Sequence, residues 1–559
     1  MVRRNLLILS VLLAAAAGSV FLIFPPISAK HPALTNLPEL VPLRDFYASS
    51  DAKWRFRLSP DGERIAWLEA KNLKPALWVR PLEGHETEIF HTDDEVRWFA
   101  WSADGRYLLY QADRDGWEND VIVSVDVAQP GAAPRAYDFG KGVKSWIHSI
   151  PPDAGNEILI GHNGRDPEVF DLYRLNLDSG EAASMALVSE LGVAWSVDRK
   201  GEIYARKRFI TPDDWRLELR EGENWREILR GGLEDTFWVA DEPDENGLML
   251  AVSDLGRDKQ ALVQIDTATG REVETLFQHD VVDISWIESD PVDGRPLSVV
   301  TYPGFQERTY LDPDYQALMG ALQFNEKTAL HRVSYTKDMS KVIAEVEHPT
   351  KGWSQHLIDR ETGETSLIQT PPIADEAEHL SGMEPVTITA EDGLTLHATL
   401  TRPKGVEGPA PMVIIIHGGP VARSAWGYSD LHNWMANRGY AVLNVNYRAS
   451  AGFGRAFREA AVGEVSRKMH QDIVDARQWA VDEGIADPDN VAVFGGSFGG
   501  LKVLTALTQT PDLFAAGVDI NGVFCYLNSF SFSVVVVISV QFHTMILLDS
   551  SSWVKCISR

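Results

Sequence analysis

Short apolar runs broken by polar turns fill the chain from about residue 45 to 380. Ser59-Pro60-Asp61-Gly62 leads into Arg64-Ile65-Ala66-Trp67-Leu68, and Ser102-Ala103-Asp104-Gly105 leads into Tyr107-Leu108-Leu109-Tyr110. A second phrase sets an Asp ahead of a glycine turn after an alternating strand. It occurs at Leu172 to Gly180, Leu262 to Gly270 and His356 to Gly363. Period-2 alternation bounded by Asp, Gly, Ser and Pro marks strands and hairpins. Hairpins sustained over roughly 330 residues fit about seven units of 40 to 50 residues, a β-propeller. Thirteen of the 17 tryptophans fall in this region, and packing between blades is the reading preferred for them over ligand binding.

At Glu384 the pattern changes. Ala410-Pro411-Met412-Val413-Ile414-Ile415-Ile416 is a continuous apolar run, as expected of a strand buried on both faces. Leu431 to Arg438 predicts a helix, Ala441 to Asn446 a strand, Arg467 to Asp482 a helix and Val491 to Phe494 another buried strand. Met469, Ile473, Ala476 and Ala480 recur at helical spacing. The β-α-β succession predicts a parallel, doubly wound sheet.

At the N-terminus, Arg3 and Arg4 precede an uncharged run from Asn5 to Phe24 that Pro25-Pro26 ends. Positive charge before an apolar run reads as an export signal cut near Ala29, or as an uncleaved anchor, since about 20 apolar residues suffice to span a bilayer. The bulk of the protein is then expected outside the cytoplasm, periplasmic or membrane-anchored. Cys525 and Cys556 are the only cysteines, so residues 1–524 offer no disulfide or thiolate metal site, and neither a metal nor a cofactor is expected. The net charge of −28 disfavours nucleic acid as a partner, because a phosphate backbone requires a basic footprint.

The chemistry lies in Val491-Ala492-Val493-Phe494-Gly495-Gly496-Ser497-Phe498-Gly499-Gly500. A strand runs into a glycine turn with Ser497 at its apex and a helix behind it, the form of a nucleophile elbow. Glycines 495 and 499 leave room for the tight turn. Upstream, His417-Gly418-Gly419-Pro420 directly follows a buried strand. Acyl transfer generates an oxyanion that needs preorganised N–H donors. The amide of Phe498 and one from the glycine loop could supply them.

These residues carry a resemblance. Ile415 to Pro420, Asn444 to Gly454, Gly495 to Gly500 and Pro511 to Asp519 resemble the catalytic domain of the prolyl oligopeptidase family, with the His-Gly-Gly-Pro form closer to its acylaminoacyl-peptidase branch. The resemblance implies Gly419 and Phe498 as the oxyanion hole and the Tyr447 to Gly454 segment as a structural loop. Arg448 reads equally as part of that loop's role or as an ordinary loop arginine. His417 reads as structural rather than catalytic, since it belongs to the glycine loop and comes early in the chain. The fold expected is a propeller of about seven blades followed by an α/β-hydrolase domain that is C-terminally incomplete. Its parts are residues 1–30 (signal or anchor), 45–380 (propeller), 384–521 (partial catalytic domain) and 522–559 (apolar tail).

After Asn521-Gly522 the likeness is expected to stop. From Ile520 to Arg559 only Asp549, Lys555 and Arg559 are charged, against 24% for the whole chain. A truncation or frameshift after about residue 522 would produce such a shift. In this architecture the acid and then the histidine follow the serine. His543 and Asp549 come in the reverse order, so they are not expected to complete a triad. The expected function is a serine peptidase of short peptides acting through Ser497, with this chain inactive or weakly active. An esterase of the same fold and a non-catalytic propeller binding module are the alternatives.

Overall fold

The structure is a computed structural model that describes residues 36–522, except 48–52, 72–73, 84–91, 93–95, 114–119, 130, 132, 189–191 and 323–326. The export or anchor segment at residues 5–24 and the apolar tail with His543 and Asp549 lie outside the described residues. Among the described residues no helix is long and apolar enough to cross a membrane.

Seven antiparallel sheets of three or four strands succeed one another along the described chain, over residues 53–81, 96–137, 145–186, 193–231, 237–278, 286–310 and 329–369. Each is one blade of a β-propeller. The first strands of neighbouring blades touch: Trp101 Nε1 donates to Arg57 O at 3.3 Å, and Leu58 N donates to Ser334 Oγ at 2.7 Å. The second of these contacts joins the first blade to the seventh, which closes the ring. First strands therefore surround the axis, while a fourth strand such as Arg271–Gln278 lies largely exposed at the rim. Apolar residues seal the seam between first and last blades, with Phe56, Leu58, Ile65 and Trp67 packed against Ile343.

The second domain is a six-stranded sheet. Its strands are β1 (Met383–Thr389), β2 (Thr395–Thr401), β3 (Ala410–Ile416), β4 (Ala441–Asn446), β5 (Ala486–Gly496) and β6 (Ala516–Ile520), in the order β1-β2-β4-β3-β5-β6. The β1-β2 and β2-β4 pairs are antiparallel, and the rest are parallel. Helices α1 (Asp430–Ala436), α2 (Arg455–Glu459), α3 (Lys468–Asp482) and α4 (Phe498–Gln509) connect them. All seven residues of β3 are buried, which is why its sequence is a continuous apolar run rather than an alternation. Met469, Ile473, Ala476 and Ala480 are buried along α3, so the helical spacing marks its core face.

One face of the propeller meets this sheet domain, namely the face that carries second-to-third-strand and blade-to-blade connections. Arg455 N donates to Asp258 O at 2.8 Å, Asp283 N to Gly452 O at 2.9 Å, Arg423 Nη2 to Tyr302 O at 2.9 Å, and Asn433 Nδ2 to Pro349 O at 3.1 Å. Arg455 also pairs with Asp235 and Asp254, and Arg458 with Asp254. A strap at residues 36–47, not foreseen from the sequence, returns to the sheet domain. There Asn437 Oδ1 accepts from Val41 N and Asn437 Nδ2 donates to Glu39 O.

His432, on α1, is 2% exposed and lies 3.0 Å from Thr401 Oγ1 through Nδ1. Burial pushes its pKa down to about 4. The unfolded chain takes up a proton as pH falls through about 6.5, whereas the folded site resists until about 4. Stability is therefore lost as pH falls across that window, by on the order of 3 kcal/mol from this residue. His397 acts in the same direction and Asp519 in the opposite one. Urea unfolding at pH 7 and pH 4 should thus show a smaller loss for His432→Gln than for wild type. Equal losses would refute the assignment.

Candidate functional site

Strand β5 delivers the chain to Ser497, and α4 leads away from it. Ser497 has φ 55° and ψ −119°, a backbone conformation costly for any residue with a Cβ. The residue is exposed, while Phe498, Gly499 and Gly500 behind it are buried. Ser497 N donates to Ile520 O at 2.9 Å, which ties the turn to β6. Such strain persists only where surrounding packing enforces it, and the glycines show how. A Cβ at Gly495 would lie 2.5 Å from the backbone carbonyl carbon of Gly499, and one at Gly499 would overlap Ile416 O and lie 2.9 Å from His417 O. The turn closes only because neither residue has a side chain.

The loop His417-Gly418-Gly419-Pro420 leaves β3 beside this turn. A Cβ on Gly418 would sit 3.4 Å from Ser497 Cβ and 3.0 Å from Gly496 O. Gly419 has φ 52°, and its carbonyl accepts from Ala422 N at 2.9 Å. The fold thus brings the Ser497-Phe498 turn together with the Gly418-Gly419 loop, two segments separated by about 80 positions. His417 is engaged elsewhere: Nε2 lies 2.8 Å from Ser450 Oγ, and the ring stacks on Tyr447 at 4.4 Å between centroids. Burial lowers its pKa, so the ring is neutral at pH 7. Tyr447 in turn stacks toward Phe498 at 6.1 Å, so the 447–454 segment buttresses the elbow from the side.

Arg448 holds that segment in place. It is 2% exposed, and its guanidinium bonds Asp472 at 2.7–3.1 Å and Asp392 at 2.9 and 3.2 Å. Asp472 Oδ2 also accepts from Arg448 N at 2.9 Å. The bonds from Arg448 hold the Asp392 carboxyl well below the usual carboxylate range. Nothing in the local sequence around Arg448 announces these partners, which lie 56 and 24 residues away.

Among the described residues no side chain hydrogen-bonds the Ser497 hydroxyl, and no group of three or more His, Cys, Asp or Glu could hold a metal ion. Asp519 is fully buried at the end of β6, beneath the first turn of α4, facing Gly500 and Gly522. Burial pushes its pKa up to about 6 against the effect of the Gly522 amide. A cavity of about 470 Å³ opens between the two domains, lined by Tyr302, His397, Arg423, Trp426, Asn446 and Phe453. Arg423, three residues beyond Pro420, lies over the Phe453 ring there at 4.4 Å.

Residues 426–544 match the model of the prolyl oligopeptidase family. The match runs past Gly522, so the likeness does not stop where the sequence alone placed its end. Dipeptidyl aminopeptidase BIII of Pseudoxanthomonas mexicana is 31% identical over 500 residues, covering 86% of this chain and 71% of that protein. Dipeptidyl peptidase family member 6 of Caenorhabditis elegans is 27% identical over 510 residues, covering 83% and 68%. The acylamino-acid-releasing enzyme of Arabidopsis thaliana is 34% identical over a shorter stretch of 113 residues, covering 20% of this chain and 15% of that enzyme. In fold, the chain is similar to the crystal structure of puromycin hydrolase, with a TM-score of 0.67, 19% identity, and coverage of 87% and 80%.

Proposed function

Because the chain belongs to the prolyl oligopeptidase family of serine peptidases, we propose that it cleaves short peptides through an acyl-enzyme on Ser497. The observation that carries this reading is the exposed Ser497, held at positive φ with the Gly418-Gly419 loop packed against it. In the proposed reaction the hydroxyl oxygen attacks the peptide carbonyl and its proton passes to a base. The amides of Phe498 and Gly419 stabilise the oxyanion. The C–N bond then breaks, the amine takes up the proton, and water releases the acyl group.

We also propose low turnover for this 559-residue chain. No base stands at Ser497 among the described residues, and His543 and Asp549 come in the reverse of the serine, acid, histidine order. A serine without its partners keeps only a residual acceleration of about 10³ to 10⁴ over water. A fluorophosphonate probe, with aminoacyl-nitroanilide and acyl-peptide substrates, tests both statements. Labelling lost on Ser497→Ala supports the nucleophile. Turnover far below that of a version whose C-terminal segment supplies the acid and then the histidine supports the second statement, and equal turnover refutes it. Faster cleavage of simple esters than of any peptide would favour the esterase reading. Intact protein that never labels, even in a version whose C-terminal segment supplies the acid and the histidine, would favour a binding module. The proposal extends to export through residues 1–30, with anchoring by residues 5–24 if the segment is uncleaved. Recovery of the protein from the cytoplasm with its N-terminus intact would refute export.

A further inference from the structure

Not all the propeller tryptophans are core. Trp67, Trp101 and Trp215 are at most 6% exposed, but Trp98, Trp146 and Trp238 are 37–42% exposed, each on the first strand of its blade. Among these, Trp146 lines a cavity of about 280 Å³ between the third and fourth blades, together with His148, Glu168, Phe170, Asp171 and Trp195. The Trp146 ring packs against Gly161, where a Cβ would come within 2.9 Å of it. Phe170 flanks it at 4.2 Å between centroids. The cavity is thus walled by aromatic faces.

Its position is set by topology. The hairpin turn at residues 167–168 joins second and third strands of the third blade, and Val188 and Gly192, which also line the cavity, lie between the last strand of the third blade and the first strand of the fourth. The equivalent connections of the fifth blade, around Asp258 and Asp283, touch the sheet domain. The cavity therefore opens on the propeller face that looks toward the sheet domain.

Among the described residues that line it, one carboxylate is left without a cationic partner. Asp171 is neutralised by Arg165, which bonds it at 2.6 and 2.8 Å, and by Val188 N at 2.7 Å. Burial lowers the pKa of His148, which is neutral at pH 7. Glu168 is exposed, and its carboxylate bonds no cation among the described residues. We propose that this cavity binds the cationic side chain of a peptide lysine or arginine, with the apolar stem against Trp146 and Phe170 and the charge at Glu168. Cations favour aromatic faces, and long basic side chains bury their stems while keeping the charge solvated or paired. The site would hold a substrate residue remote from the scissile bond, and in that use it rests on the peptidase reading. Binding itself does not require Ser497.

The test is binding of N-acetyl-lysine methylamide to the full chain, followed by saturation-transfer NMR or calorimetry. N-acetyl-norleucine methylamide and alanine methylamide serve as the uncharged and the terminal-ammonium comparisons. The lysine probe should bind about tenfold more tightly than either comparison. It should weaken about tenfold on Glu168→Gln, and also on Trp146→Ala in protein that keeps its wild-type unfolding midpoint. Ser497→Ala should leave binding unchanged. Absence of lysine binding, equal binding of norleucine, a preference for the terminal ammonium, or indifference to Glu168→Gln would each overturn the proposal. Loss of binding on Ser497→Ala would place the probe at the elbow, overturning this site while leaving the peptidase reading intact.

Discussion

Replacing Arg448 with methionine should destabilise the protein by about 3 to 5 kcal/mol, the usual cost of removing one partner of a buried ion pair. Asp472 is fully buried and accepts from the Arg448 side chain, so the substitution leaves a buried carboxylate with one backbone N–H bond and, beyond hydrogen-bond contact, the charge of Lys502. Asp392 suffers less, since Lys468 stands 3.1 Å away. The cost arises from the uncompensated charge rather than from the lost attraction. The double variant Arg448→Met, Asp472→Leu should therefore recover most of the loss. Urea unfolding of wild type, both single variants and the double variant measures this directly. A loss below about 1 kcal/mol for Arg448→Met would mean that Asp472 is protonated or hydrated in the native state. Because the 447–454 segment buttresses Phe498 through Tyr447, the single variant should also lose fluorophosphonate labelling at Ser497.

The contrast between this network and the elbow shows what was legible in the sequence. The elbow is local: strand, glycines, serine and helix are adjacent in the chain, and steric need alone dictates where glycine must stand. The propeller was legible for a related reason, since each blade repeats its own alternation and turn residues. Arg448 gave no such sign, because its partners come from a hairpin and a helix in other parts of the chain. The same holds for Arg455 and Arg458, which meet Asp235 and Asp254 across some 200 positions. Periodicity reports which face of an element is apolar, and it does not report what that face meets. The propeller tryptophans make the point within one region. Composition favoured packing for all of them, and that holds for Trp67, Trp101 and Trp215, whereas Trp98, Trp146 and Trp238 stand exposed on first strands. The 36–47 strap was invisible because it is held by Asn437 and by the buried side chains of Val41 and Phe46, too few apolar positions to make a periodic pattern.

The glycines around Ser497 are not equivalent, and alanine substitutions should separate them. At Gly496 a Cβ would find its nearest neighbour, Ile520 O, at 3.5 Å, an ordinary contact, and the residue is absent from the positive-φ positions. Gly496→Ala should therefore change stability by less than about 1 kcal/mol. At Gly499 the added carbon would overlap Ile416 O and crowd His417 O. Both are backbone atoms of β3 and the loop that follows it, so no rotamer change can relieve the clash, and either α4 or the glycine loop must move. Overpacking against well-packed neighbours costs about 1 to 3 kcal/mol, and more where backbone must shift. The displaced atoms belong to the loop that carries the Gly419 amide. A shift of about 1 Å in a positioned group can cost on the order of 10²-fold in rate, comparable with losing one oxyanion donor. Gly499→Ala should thus lower the unfolding midpoint and slow phosphonylation of Ser497 by the fluorophosphonate by about 10²-fold, while Gly496→Ala does neither. The paired measurement is the thermal midpoint and the labelling rate of both variants against wild type. Equal behaviour of the two would show that the elbow tolerates a side chain at Gly499, and that the contact between β3 and α4 does not position Ser497.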